Sequence, residues 1–330
     1  MRVIRVGSDN FELLWDELWK NGARRYPLYG KFNRSFYSAY NDDKQHEDCS
    51  FIVEGQNGPL AGMMITSNVD SSGTTSFSVF NLPTLFILNE EIDVSSQAWK
   101  LVKKEMESLM TSSELWNWTH SEFLSDEGSI SSVGRFLLSL GARSDIEWTQ
   151  VVDLRTDPGI LFKQMTKGCR WGVNWGKKNL DLRVIDNKTV TIDSLKIFRE
   201  LHIEAAGRET RNQQSWDAQF EMIKGGEAFL VFGYLGEDLV SAALFSHSLD
   251  YCFYGVSASK RELFNKPISH VVIWEAVLHA QSIGCKWFDL AGQRFSGERQ
   301  EPTEKELSIS AFKRGFGGNT MARVNLEVNS

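Results

Sequence analysis

The chain has 330 residues, of which 42% are hydrophobic and 24% charged, the balance of a folded globular protein and not of a disordered one. That length exceeds what one core usually fills and predicts two domains of about 150 residues each. A formal net charge of -7 repels a phosphate backbone on average, which excludes a general nucleic-acid coat and DNA as a partner but leaves room for a local basic patch.

In chain order, the opening MRVIRVGSDNFELLW lacks the apolar stretch of a signal peptide, and the most apolar later run, AFLVFGYLGEDLVSAALF, is cut by Glu237 and Asp238. The expectation is a cytoplasmic protein with no membrane span. YPLYGKFNRSFYSAY adds aromatics with Lys31 and Arg34. FIVEGQNGPLAGMMI, from Phe51 to Ile65, reads as strand, glycine-bearing turn and strand. A further strand at TSFSVFNL follows, then a helix at SSQAWKLVKKEMESLM with Trp99, Val102 and Met106 on one face, and a strand at ELWNWTH. The same order returns about 170 to 180 residues later. There, LVFGYLGEDLVSAALF and DYCFYGVSAS precede the helix ISHVVIWEAVLHAQSIG, with Val272, Ala276, His279 and Ala280 on one face, and the strand CKWFDLAG. Serines open both helices as N-caps should. The repeat predicts an α+β fold of two domains of one architecture, 1–155 and 156–330.

Between the repeats, Lys163, Lys167, Arg170, Lys177 and Lys178 stand among Trp171 and Trp175, with no acid from Gly159 to Leu180. Such a stripe is either an anion-binding groove or a solvated helix face. Arg208 and Arg211 share a face if the helix DSLKIFRELHIEAA continues, where they could clamp a pyrophosphate or pair with Glu204 or Glu209. Asp289 and Tyr254 each stand at a strand end: the first could take a proton, orient a ligand or cap a turn, and the second could offer a hydroxyl or pack. LSISAFKRGFGG reads as an extended run, with Ile309, Ala311 and Lys313 on one side and Ser310, Phe312 and Arg314 on the other. Before it, Gly292 to Leu307 has the composition of a lid. Cys49, Cys169, Cys252 and Cys285 are scattered, the six histidines show no HExxH spacing, and no GxSxG elbow occurs, so no metal site and no triad is expected.

Five pieces, LFKQMTKGCRWGVNWGKKNLDLRV, GRETRNQQSWDAQFEMI, YCFYGVSAS, PISHVVIWEAVLHAQSIGCKWFDLAG and ISAFKRGFGG, are together similar, in order, to the FemABX-type GNAT-like acyltransferases, which include the peptidoglycan bridge-forming aminoacyltransferases. The resemblance covers roughly residues 160 to 320, and the first 150 match only in outline. It implies tandem GNAT-like domains, each a mixed, mostly antiparallel sheet packed with helices, the N-terminal one on the acceptor side and the C-terminal one on the donor and catalytic side. The implied reaction moves an acyl or aminoacyl group onto an amine of a nucleotide-linked amino sugar or peptidoglycan precursor. The donor, aminoacyl-tRNA or acyl-CoA, is a co-substrate, and no cofactor is tightly bound. KRELFNKPISHVV contains no glycine where a CoA pyrophosphate loop needs one, which weakens acyl-CoA. Lys313 matches the family lysine beside the reacting ends, its alternative being a surface lysine. With Asp289 and Tyr254 it makes the catalytic set, and Arg208, Arg211, Trp216, Phe312, Phe316, Lys177 and Lys31 are the substrate contacts. An ordinary acyl-CoA N-acetyltransferase and a non-catalytic binding protein of the same fold are the rival readings.

Overall fold

A computed structural model describes residues 1–22, 25–41, 45–89, 96–125 and 128–330. The first part of the chain gives β1 (Arg2–Arg5), α1 (Phe11–Asn21), α2 (Lys31–Tyr40), β2 (Glu47–Asp48), β3 (Phe51–Gly55), β4 (Gly58–Met64), β5 (Thr66–Val69), β6 (Thr75–Ser78) and β7 (Leu85–Leu88). Next come α3 (Ser96–Met110), β8 (Trp116–Phe123), α4 (Ser132–Ser139), β9 (Arg143–Asp153), α5 (Pro158–Gln164), α6 (Lys167–Asn179) and β10 (Asp181–Ile185). The chain ends with α7 (Ile192–Ala206), α8 (Gln213–Lys224), β11 (Ala228–Leu235), β12 (Asp238–His247), β13 (Tyr251–Ser259), α9 (Ile268–Ser282), β14 (Trp287–Gln293), α10 (Glu304–Arg314) and β15 (Asn319–Asn329).

These elements form two compact units, one of residues Met1–Arg25, Asn41–Glu147 and Ala322–Ser330, the other of Tyr26–Tyr40 and Trp148–Met321. The chain changes unit after Glu147 and not at the expected residue 155, and two further segments change sides, each with a packing cause. Glu227 accepts the main-chain N–H of Phe32 at 2.8 Å and of Asn33 at 3.1 Å, capping the start of α2, while Asn212 donates to Ala39 O at 2.8 Å at its end. Phe36 then joins Phe198, Trp216 and Leu230 in one core, so α2 belongs to the second unit although it lies early in sequence. At the other end of the chain, β15 pairs with β8 from Arg323↔Phe123 to Asn329↔Asn117 and completes the first unit.

In the first unit, FIVEG and GPLAGMM form the expected hairpin, Phe51↔Met63 to Gly55↔Gly58. Gly58 turns it with φ 119°, a conformation open to glycine. One sheet runs β1-β3-β4-β7, and β8 pairs with β15 on one side and β6 on the other. α3 lays Ala98, Val102, Met106 and Met110 against Phe51, Phe77, Trp118 and Leu326.

In the second unit the strands run β10-β11-β12-β13-β14-β9. Every neighbouring pair is antiparallel except β13·β14, which the crossover helix α9 joins in parallel. Alternation sends Phe229, Val231, Ala243 and Phe245 to the face covered by α6 and α9, and Leu230, Phe232, Ala242 and Leu244 to the face covered by α7, α8 and α2. Because both faces are covered, these strands read as unbroken apolar runs. α9 likewise exceeds the single stripe expected of it: Val271, Val272, Ile273, Trp274, Ala276, Val277 and Ala280 are all buried. Its serine is not a cap either, since Pro267 holds that position and Ser269 Oγ lies 3.0 Å from Ser259 Oγ. Among the described residues no helix is long and apolar enough to cross a membrane.

Candidate active site

The parallel ladder of β13 and β14 is short. It pairs Tyr251↔Trp287, Cys252↔Phe288 and Phe253↔Asp289 and then ends, so Tyr254 onward and Leu290 onward part into a wedge. Two irregularities sit at that point. On β12·β13 the register shifts opposite Gly255, and on β14·β9 it jumps from Asp289↔Val151 to Gly292↔Thr149. Ala291, inside the second irregularity, has φ 66°, a left-handed conformation that a residue with a Cβ adopts only where its surroundings hold it there.

What holds it is Asp289, which is fully buried. Its Oδ1 accepts Ala291 N–H at 2.7 Å and the Thr149 hydroxyl, and its Oδ2 accepts the Tyr251 hydroxyl at 3.1 Å and the Tyr26 hydroxyl at 3.4 Å. Four donors from four places in the chain converge on one carboxylate, the arrangement a buried charge needs. Tyr26 also sets its ring edge-on to Tyr251 and Phe253, at 5.2 and 5.5 Å. Tyr26, Tyr251 and Thr149 were not foreseen. No spacing in the sequence ties residue 26 to residue 289; only the docking of Tyr26–Tyr40 on the second unit does.

Lys313 reaches this place from a helix and not from a strand. LSISAFKR is the body of α10, opened by a capping box in which Thr303 and Glu306 exchange side-chain and main-chain hydrogen bonds. The pattern T-x-x-E was legible in TEKE, and the alternation in LSISA obscured it. Helical spacing puts Lys313 on the face of Ile309 but not of Ala311, and Arg314 on that of Ser310. Lys313 Nζ donates to Gly292 O at 3.2 Å. Burial holds its pKa below the ordinary lysine value, and the nearby Asp289 charge counters that in part. Arg314 turns to Phe295, 4.8 Å from the ring, and donates to Gln293 Oε1 at 3.1 Å. Phe312 and Phe316 pack on each other and on His270. The glycines beyond them lie against strand and helix backbone: Gly317 O accepts Gln150 Nε2 at 2.6 Å, Gly315 O accepts Thr166 N–H at 2.9 Å, and a Cβ on Gly318 would collide with Val151 O. Tyr254 stacks on Phe245 at 5.4 Å, and burial raises its pKa.

The remaining predicted contacts fall elsewhere in the second unit. α7 stops at Gly207, with φ 73°, so Arg208 and Arg211 leave the helix and do not share its face. Arg208 is exposed. Arg211 is enclosed, its guanidinium about equally far from the rings of Phe36, Trp216 and Tyr40, at 5.5, 5.5 and 5.9 Å. Burial depresses its pKa, and burial pushes Tyr37 beside it up to about 12. Arg211 Nη1, Trp216 Nε1 and His202 Nδ1 are buried without an acceptor or donor, and the His202 ring lies 5.4 Å from that of Trp216. Lys177 covers the rings of Phe162 and Trp274, and Lys31 stands exposed at the start of α2.

The stripe from Lys163 to Lys178 has the exposure of its alternative, a solvated helix face: α6 turns Cys169, Gly172, Val173 and Gly176 inward and leaves Lys167, Lys177 and Lys178 outward. The lid is shorter than expected, since Gly292 and Gln293 belong to β14 and residues 304–307 to α10. The intervening loop is tied by Arg294 to Glu298 at 2.5 Å and to Gln300 O at 2.6 Å. A polar hollow of about 320 Å³, lined by Asp153, Thr156, Gln164, Gly317, Gly318 and Asn319, lies at the opposite end of β14 and holds none of the candidate side chains.

The first unit contains the corresponding parallel pair, Thr75↔Trp116 to Phe77↔Trp118. There the gap beyond the ladder is filled by the segment that leads into β7. Thr84 bridges to His120, its N–H bonds Thr119 O at 2.8 Å, and its hydroxyl accepts Trp118 Nε1 at 3.0 Å.

No protein-family model matches the chain, and no curated protein does. Solved structures do match. FemX shares 13% identity over 98% of this chain and 97% of its own, with a TM-score of 0.71. A tandem GNAT protein from the clavulanic acid biosynthesis pathway shares 16% over 99% and 98%, with a TM-score of 0.55. L-PGS from Bacillus licheniformis shares 11% over 96% and 90%, with a TM-score of 0.58. The chain therefore has the tandem GNAT-like fold of FemX, an α+β architecture of mostly antiparallel sheet.

Proposed function

We propose that the protein is an N-acyltransferase whose chemistry lies in the wedge of the second unit. The observation that carries this reading is the end of the β13·β14 ladder at Phe253↔Asp289, with Lys313 Nζ at Gly292 O just beyond it. Strands that part leave main-chain groups able to hold an extended donor, and a half-buried cation beside them meets the oxygen on which negative charge develops. The acceptor nitrogen attacks the acyl carbonyl carbon, a C–N bond forms, and the C–O bond of an aminoacyl ester breaks. The nitrogen's proton leaves with the departing hydroxyl or to water. Asp289, with both oxygens occupied, positions the wedge and supports the charge on Lys313; Tyr254, ring-stacked and half-buried, shapes its wall.

The acceptor we infer is an amine on a nucleotide-linked amino sugar or peptidoglycan precursor, and the setting is cytoplasmic assembly of envelope polysaccharide. Arg211 Nη1 and Trp216 Nε1, donors buried without partners, suit an oxygen-rich group such as a phosphate. Charged tRNA is the donor this reading favours, because the stretch from Lys260 to Val272 contains no glycine. Acyl-CoA is the second reading, supported by the start of α9, where no side chain caps the main-chain N–H groups. The sealed pair in the first unit supports assigning the chemistry to the second.

Purified protein incubated with charged tRNA or acyl-CoA and a panel of nucleotide-linked amino sugars should yield a product heavier by one acyl group, read by mass. Product from acyl-CoA alone would select the second reading. No product from any pairing, together with tight binding of an acceptor, would favour a non-catalytic binding protein.

A further inference from the structure

α6 presents an outward stripe that the proposed reaction does not use. Lys167, Trp171, Asn174 and Lys178 follow the i, i+4, i+7, i+11 spacing of one helix face, and all four are exposed. The opposite face is locked. Gly172 lies against His270 and Pro267, where an added Cβ would come within 2.7 Å of the His270 ring, and Gly176 lies against Val271. α6 therefore cannot roll to hide Trp171, which remains 62% exposed.

A second exposed ring lies on the segment that packs against α6. In the turn between β13 and α9, Leu263 packs against the core, while Phe264 next to it is 66% exposed. Phe264 lies three residues before Pro267, on which Gly172 packs, so the two exposed rings flank one helix contact. Exposed cations stand on the same segments and on α5 next to them in sequence: Lys163 on α5, Lys167 and Lys178 on α6, Arg261 and Lys266 in the turn. Glu262 is the one acid from Gly159 to Leu180 and from Lys260 to Pro267 taken together. In a chain of net charge -7 this is a local reversal of sign.

Two large rings held in water among cations mark a contact surface. The stripe runs along an outward helix face and extends roughly 16 Å from Lys167 to Lys178 at 1.5 Å per residue. Single-stranded nucleic acid is usually held in a groove, whereas two exposed rings by an outward helix face with long lysines suit a headgroup layer, with rings at the interface and ammonium groups on lipid phosphates. We propose that this face docks on the surface of an anionic lipid bilayer.

The test uses the full chain, sedimented with vesicles of phosphatidylcholine alone or of phosphatidylcholine with phosphatidylglycerol. The protein should pellet with the anionic vesicles and stay in solution with the neutral ones. Lys167→Gln with Lys178→Gln should weaken the partition by about fivefold per cation removed. Trp171→Ala with Phe264→Ala should weaken it tenfold or so at about 0.15 M salt, where screening leaves the apolar part dominant. Both pairs are exposed, so an unchanged melting temperature checks that the fold persists. Absence of binding to anionic vesicles, binding that neither pair reduces, or a single-stranded RNA probe captured through these residues with no vesicle binding would each overturn the proposal. None of these readouts depends on acyl transfer, so failure here and failure of the acyltransferase reading are separable.

Discussion

At the scale of single residues, Lys313 and Asp289 lie together but do different work, and substitution should tell them apart. Lys313 Nζ donates to Gly292 O, and its side chain is half-buried. Lys313→Ala should therefore fold normally and, if its charge meets the developing oxyanion, lose on the order of 3 kcal/mol of transition-state stabilisation, about a hundredfold in rate. Arg314→Ala, which removes a stack on Phe295, should change turnover much less. Equal, near-wild-type rates for the two would remove Lys313 from the chemistry. Asp289→Ala strands hydroxyl and N–H donors that now share one carboxylate, so its first effect should be on stability, on the order of 3 kcal/mol, read as a drop in denaturant midpoint. An Asp289→Ala protein as stable as wild type would show that those hydrogen bonds are dispensable.

At the scale of elements, the pair α6 and α9 shows why small residues stand where they do. Gly172 and Gly176 are four residues apart and both face α9. Gly176→Leu would drive four carbons into Val271 and force the helices apart, so it should destabilise by roughly 1 to 3 kcal/mol or more. Thermal unfolding would read this, and an unchanged midpoint would mean that the helices part easily. α2 poses the converse case. It is early in sequence yet fastened at both ends by the second unit, through Glu227 and Asn212. Burial raises the pKa of Glu227, while the helix N–H groups that it accepts work against that rise. Asn212→Ala with Glu227→Gln should speed amide exchange in residues 31–40 ahead of the strands β11 and β12, and uniform exchange across the unit would contradict it.

For the whole molecule, the histidines set an acid limit. Burial holds the pKa values of His202, His247, His270 and His279 below the ordinary histidine value. The unfolded chain then takes up these protons more readily than the folded one, so stability falls as pH drops below about 6.5, and the loss is complete only below the folded pKa values. Glu227 acts in the opposite sense, because its raised pKa means that the folded state binds its proton first as pH falls. Four groups against one should lower the melting temperature between pH 7.5 and 5.5, and His247→Asn with His279→Asn should flatten that slope. A melting temperature independent of pH over this range would show that the histidines are not kept neutral by the fold.

What depends on neighbours along the chain is legible in the residues themselves. Both hairpins, the crossover helix, the strand WFDLAG and the doubled order follow from period-two and helical spacing with turn glycines, and all of these are local properties. Lys313 stands out through family resemblance, even though the alternation around it points to a strand; the capping box of Thr303 and Glu306 outweighs five alternating residues, because it satisfies main-chain N–H groups that a helix start otherwise leaves bare. That Tyr26 reaches Asp289 across 263 positions, that α2 leaves its sequence neighbours and that the basic stripe faces outward emerge in the folded chain alone. Those are contacts between distant segments, fixed by which apolar faces find each other first and by where a buried carboxylate can collect donors, and no local pattern in the chain encodes either.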